Sequence, residues 1–178
     1  MTARAPSQPP ALLGAEDIAR CVDALAARIA PAIGDDTVAV ALLTGGLWFA
    51  ADLTRALARL GRHVQFDALW LASYGDEHAS SGRCQVRAGL QRPVQGRQVL
   101  VIDDVFDSGL SVLEARRYML EAGARDVLTA VFARKPWPSP RAAEPEFVAW
   151  EAPARYLVGY GMDDAGAWRG LPYIGALD

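Results

Sequence analysis

The chain has little that would tie it to an oxidising compartment, a membrane or a nucleic acid. It holds two cysteines in 178 residues. Cys21 and Cys84 stand in no CxxC or metal-ligand spacing, so neither a disulfide framework nor a zinc site is indicated, and a reducing cytosol fits. The longest uncharged run lies between Asp36 and Asp52, is split by Gly45-Gly46, and is too short to span a bilayer. Lys and Arg number 18 against 21 Asp and Glu, for a net charge of −3. Nowhere do the basic residues cluster, so the electrostatic footprint of nucleic-acid binding is missing. The first ten residues carry three prolines and no apolar core, which reads as a mobile tail, to about residue 11, and not as a signal peptide. No internal repeat follows. With 52% apolar and 22% charged residues, the composition is that of a globular chain of one-domain length whose partners are small molecules.

What is present is an alternation of two periods. Ile18, Val22, Leu25 and Ile29 behind Glu16-Asp17 predict an amphipathic helix over about 15–30. Residues 37–43 form a β-favouring run of the fully buried kind, followed by Thr44-Gly45-Gly46 and a helix with Phe49, Leu53, Leu57 and Leu60 on one stripe, closed by Gly61. A strand over 63–70, a polar Gly- and Ser-rich stretch over 71–82, and short β-structure over 84–90 that can pair with its neighbour come next. The run 99–102 leads to a helix ending near Ala122 with Gly123 as cap, then to a strand over 126–133. After Lys135 the texture becomes proline-rich, with short strand candidates at 147–150 and 156–160. This last part, about 136–178, reads as a small hood of loops and short strands over the ligand edge. The order predicts an α/β fold: a parallel, twisted sheet flanked by helices on both faces, with the strand ends at Leu43, Ile102 and Ala133 on one edge.

The densest signal is the stretch 99–111, Val-Leu-Val-Ile-Asp103-Asp104-Val-Phe-Asp107-Ser108-Gly109-Leu110-Ser111. An apolar strand stops at two acids, passes a short loop and enters a helix. At the carboxyl end of a parallel strand such a loop is a ligand site, because the next helix presents unpaired N–H groups and its positive dipole end. Ser108, Gly109 and Ser111 supply an anion cradle, with small residues that let amides approach a phosphate and hydroxyls that donate to it. Asp103 and Asp104 repel phosphate and suit sugar hydroxyls or a metal. The combination points to a phosphorylated sugar, although acids and serine before a helix are also ordinary capping chemistry.

Other candidates have two readings each. Thr44-Gly45-Gly46 lets amides face an anion and serves equally as a tight turn. Ser73-Tyr74 opens a polar loop that is either functional or disordered, and His78 within it reads as a solvated loop residue. Taken alone, Lys135 is a surface residue after a strand, Tyr156 a core aromatic, and Asp163 and Arg169 surface charges.

The stretch 99–111 resembles the signature of type I phosphoribosyltransferases: apolar strand, two acids, two apolar residues, Asp, Ser or Thr, Gly, any residue, Ser or Thr. Every position is met. The spacing from Lys135 through Phe147, Tyr156 and Asp163 to Arg169 is similar to that of the hypoxanthine-guanine phosphoribosyltransferases, and the likeness covers about 38–171. It implies the type I phosphoribosyltransferase fold and Mg2+-dependent transfer of the phosphoribosyl group of phosphoribosyl pyrophosphate to hypoxanthine or guanine, giving IMP or GMP and pyrophosphate. By the same resemblance Asp107 is the general base, and Asp103 and Asp104 hold the ribose. Residues Ser108, Gly109, Leu110 and Ser111 grip the 5′-phosphate. Thr44, Gly45 and Arg169 meet pyrophosphate, in a loop that usually begins with Lys where this chain has Thr44. Lys135, Tyr156 and Leu157 bind the purine, Ser73 and Tyr74 begin a loop closing over the site, and Asp163 joins Asp103 and Asp104 in metal binding. It further implies a homodimer or homotetramer.

Two rivals make different demands. An RNA-binding regulator of the same fold needs a basic surface. A signalling receiver domain also begins Val-Leu-Val-Ile-Asp-Asp, but needs a phosphoacceptor Asp at the end of a later strand, where this chain has Ala133-Arg134-Lys135.

Overall fold

A computed structural model describes residues 8–73, 84–141 and 143–177. In chain order the elements are β1 (Ala11–Leu13), α1 (Ala15–Ile29), β2 (Val38–Leu43), α2 (Leu47–Arg59), β3 (Gln65–Ser73), β4 (Cys84–Ala88), β5 (Gln98–Phe106), α3 (Leu110–Glu121), β6 (Asp126–Arg134), β7 (Phe147–Glu151), β8 (Tyr156–Val158) and β9 (Ile174–Leu177). Among the described residues the strands form two sheets. The larger has the order β4-β3-β2-β5-β6-β7, with every pair parallel except β3 with β4. Its continuous apolar strands are those of a sheet covered on both faces. Ala39, Ala41, Leu100, Ile102 and Phe132 pack beneath α1 and α2, whereas Val38, Val40, Val99 and Val101 pack against Ala115 and Met119 of α3, as period-two alternation requires. No helix among the described residues is long and apolar enough to cross a membrane.

The expected alternation of strands and helices is present, with five differences. First, β5 does not stop at the acids: its ladder with β6 continues through Asp103 opposite Val131 to Phe106 opposite Arg134. A carboxylate side chain leaves backbone N–H and C=O free to pair, so it ends an apolar pattern without ending a strand. Second, 147–151 belongs to the main sheet, as β7 beside β6, and not to the hood; otherwise the buried edge of β6 would lack partners. Third, the hood sheet is β1-β9-β8, so the expected tail is anchored from Pro9: Ala11 pairs with Gly175, and the Tyr173 hydroxyl donates to Pro9 O at 3.0 Å. Fourth, Leu60 is 50% exposed, because α2 ends at Arg59 and the chain turns there at Gly61. Strand β3 also runs on to Ser73, opposite Cys84. Tyr74 and His78 lie outside the described residues.

The aromatic centre of the core joins sheet, helix and hood. Phe132 of β6 lies edge-on to Phe49 of α2 at 5.4 Å and to Tyr160, just beyond β8, at 5.1 Å. Phe132→Ala would open a cavity among all three, at a cost of about 3–5 kcal/mol, seen as a lowered midpoint in urea unfolding. A loss below about 1 kcal/mol would show that this junction collapses freely.

Candidate active site

The carboxyl end of β5 lies between β2 and β6 and delivers its acids into a crowded interior. Asp103 and Asp104 are each 8% exposed. Asp103 Oδ1 accepts from the Asp104 amide at 3.0 Å, and Asp104 Oδ1 accepts from the Val105 amide at 2.8 Å. Burial, and then the neighbouring Asp104 carboxylate, push Asp103 well above the usual carboxylate range. Burial also raises Asp104, against hydrogen bonds and the Arg169 charge. Charged groups are seldom left so dry without a task.

The two acids line adjoining cavities. Asp103 borders one of about 160 Å³ whose wall is Asp107, Ser108, Gly109, Leu110 and Ser111, the expected cradle at the start of α3. Gly109 has φ +82°, and a Cβ there would lie 2.8 Å from the Phe106 ring, so only glycine fits. The first-turn amides of α3, which lack helical partners, belong to residues that line this cavity, and that of Leu110 donates to Ser108 Oγ at 3.4 Å. Asp104 borders the second cavity, of about 230 Å³, together with Asp107, Lys135, Tyr156, Leu157, Met162 and Asp163. The structure thus brings the residues expected to bind a base into one cavity that shares Asp107 with the cradle.

Asp107 and Lys135 meet in that wall, Nζ to Oδ2 at 3.0 Å, and Lys135 is the better buried of the two, at 17% exposure against 44%. Lys135 is the chain's only lysine; every other basic side chain of this class is Arg. Its Nζ also donates to Arg155 O at 3.4 Å. Tyr156 is no core aromatic: it is 53% exposed, and its hydroxyl donates to Asp163 O at 3.1 Å. Leu157 is buried beside it.

Asp163 and Arg169 are not separate surface charges. They pair at 2.6 Å, Asp163 Oδ2 also accepts from the Gly166 amide at 2.7 Å, and Arg169 donates to Gly161 O at 2.5 Å. Gly45 fits between the hood and β5. A Cβ on it would lie 1.9 Å from Asp104 Oδ2, and one on Gly161 would lie 2.1 Å from Gly45 O. The Thr44-Gly45 loop is therefore packed directly on the acid pair. Among the described residues no cluster of three or more His, Cys, Asp or Glu is shaped to hold a metal alone.

A larger groove of about 490 Å³ lies between α1, α2 and the hood and holds none of these residues; its charges pair with one another, Asp52 with Arg55 and Asp23 with Arg59. Sequence reasoning missed Gly161 and Arg141. Gly161 carries a signal only in its tight approach to Gly45. Arg141 sits in the proline-rich stretch and has none; its Nε donates to Asp107 O at 2.6 Å.

A family profile described as the phosphoribosyl transferase domain matches residues 11–151. The hypoxanthine-guanine phosphoribosyltransferase of Bacillus subtilis is 32% identical over 167 residues, 93% of this chain and 91% of that one. The chain belongs to the hypoxanthine-guanine phosphoribosyltransferase family. The Aquifex aeolicus enzyme of that name is 35% identical over 92% of this chain and 91% of its own. Among solved structures, the L. donovani hypoxanthine-guanine phosphoribosyl transferase superposes with a TM-score of 0.87 at 27% identity, covering 98% of each chain. The Trypanosoma cruzi hypoxanthine phosphoribosyl transferase superposes at 0.89 with 24% identity, over 99% of this chain and 95% of that one, a likeness of fold. These matches leave no room for a receiver domain.

The buried acids set a test. A carboxyl whose folded-state pKa is raised costs stability as pH climbs from its unfolded value through the raised one. Asp103→Asn removes that cost, so at pH 7 its Tm is expected about 2–4 °C above wild type, with the gain shrinking toward pH 4, as scanning calorimetry would read. A lower Tm at every pH would contradict the burial penalty.

Proposed function

We propose that this chain transfers the phosphoribosyl group of phosphoribosyl pyrophosphate to hypoxanthine or guanine, forming IMP or GMP and releasing pyrophosphate, as a purine-salvage transferase of the cytosol that assembles as a homodimer or homotetramer. The observation that carries the reading is the Asp107–Lys135 pair, 3.0 Å apart, at the wall between a phosphate cradle and a cavity with an exposed tyrosine. On a 6-oxopurine, O6 and N7 lie on one edge. Lys135 donates to O6 while Asp107 faces N7–H, and a 6-amino group would set donor against donor, which is how such a pair rejects adenine. Tyr156 offers its ring to the base, and the Leu157 backbone meets its other edge.

The step is a displacement at C1′ of the ribose. The base N9 forms the new bond, the bond from C1′ to the pyrophosphate oxygen breaks, and the N7 proton passes to Asp107. Amides and hydroxyls of 108–111 hold the 5′-phosphate and so fix C1′ for in-line attack. Asp103 and Asp104 accept from the ribose hydroxyls, and their negative charge suits a sugar that becomes cationic. Gly45 brings backbone N–H groups and Arg169 a cation to the leaving group; Thr44 adds no charge where relatives of this type usually have Lys.

Magnesium fits this donor set in one manner. With no three-ligand cage among the described residues, the ion would be carried by substrate oxygens and take one or two carboxylates from the protein. Asp163 qualifies, since it lines the cavity and keeps lone pairs beyond its contacts with Arg169 and Gly166; Asp103 and Asp104 face the ribose side. When bound, the ion neutralises the charge of departing pyrophosphate. Residues 143–177, less β7, act as the base-binding hood over a single transferase domain.

Asp107→Asn keeps the shape of the wall but cannot take the proton. Turnover of hypoxanthine is expected to fall by about 10²–10⁴-fold, while GMP still binds by calorimetry. Wild-type turnover in this variant would remove Asp107 from the mechanism.

A further inference from the structure

We propose that Arg141 is a positioning residue for this transfer: it clamps Asp107 and Lys135 in register so that the two side chains can share one edge of a purine. The inference rests on the function proposed above.

The ladder between β5 and β6 ends where Phe106 faces Arg134, closed by the Lys135 amide donating to Phe106 O at 3.1 Å. Asp107 and Lys135 are the next residue on each strand. Their side chains carry the chemistry, yet the sheet no longer sets their spacing. Arg141 takes over at this point. It comes from the stretch between β6 and β7, and its side chain is only 9% exposed. Nε donates to Asp107 O at 2.6 Å, and a terminal nitrogen donates to Lys135 O. The other terminal nitrogen faces Glu144 at 3.1 Å, and the guanidinium carbon lies 4.8 Å from the centre of the Phe106 ring. One rigid, planar group therefore holds the backbone of the general base, the backbone of the base-binding lysine, and the aromatic ring on which Gly109 rests.

Only a guanidinium does this. Its donors diverge in a fixed fork, so two carbonyls on it are fixed relative to each other, and its flat face stacks on an aromatic ring; an ammonium supplies the charge without the fork. The two carbonyls are part-buried backbone acceptors beyond the end of the ladder, and Arg141 gives both a donor. Catalytic groups need placement to within about 0.5 Å. The clamp fixes the backbone from which both side chains depart, and the 3.0 Å contact between their ends fixes the rest.

Arg141 touches neither substrate in this reading, so its loss has a defined signature. Arg141→Ala is expected to lower kcat and raise the KM for hypoxanthine, together about 100-fold in kcat/KM, while the KM for phosphoribosyl pyrophosphate stays near wild type. Millimolar guanidinium should restore part of the turnover. Arg141→Lys should fold with a Tm close to wild type and still fail to recover the hypoxanthine KM; if Arg141→Ala does not fold, this variant decides. A folded variant with wild-type kcat and hypoxanthine KM overturns the proposal, as does an equal rise in both KM values. If wild-type protein makes no nucleotide, the functional reading itself falls, and the clamp with it; an active wild type with unaltered variants removes Arg141 alone.

Discussion

Two adjacent carboxylates buried at the end of the central strand are the constraint around which this molecule is arranged. Burial of Asp103 and Asp104 is costly, and nearly every neighbouring feature responds to it. Backbone amides one residue on donate hydrogen bonds to them. Gly45 has no side chain because Asp104 occupies that space, and Gly161 has none because Gly45 does. Arg169, held by Asp163 and Gly161, supplies the nearby cation that Asp104 feels. Loop, strand and hood are thus packed on one another through the acids, and the site cannot be taken apart without moving all three.

From that end of β5 the site divides into two halves with different logic. The cradle at 108–111 is backbone chemistry, a helix start opened by a glycine in the left-handed region, and in the proposed reading it takes the phosphate. The second cavity is side-chain chemistry, with Lys135, Asp107 and Tyr156 facing one space, and in the proposed reading it takes the base. Asp107 borders both. That shared wall is where the proposed transfer places the group that takes the proton from the base.

Much of this was legible in the residues, and the reasons differ by element. Helices α1 and α2 and strands β2 and β6 announce themselves through local periodicity, which burial on one or both faces imposes directly. The stretch 99–111 was readable because an anion cradle calls for glycine and serine at fixed offsets from a strand end. Lys135, Tyr156, Asp163 and Arg169 were legible only through resemblance, since each alone has a commoner role; Tyr156 even looked like core and proves exposed. The hood sheet escaped because β1 and β9 come from opposite ends of the chain, and no local pattern encodes their pairing. The continuation of β5 past its acids escaped because hydropathy reports side chains whereas the ladder is made by backbone. Arg141 left no trace because an arginine that holds carbonyls needs no partner residue of any particular type.

The central claim is that this wall joins a phosphorylated sugar to a 6-oxopurine. It is tested most directly by incubating the protein with phosphoribosyl pyrophosphate and magnesium and, in separate tubes, hypoxanthine, guanine, xanthine and adenine, with nucleotide read by chromatography. IMP and GMP should form, and AMP should not. Absence of nucleotide from every 6-oxopurine, or adenine used as well as hypoxanthine, would contradict the account.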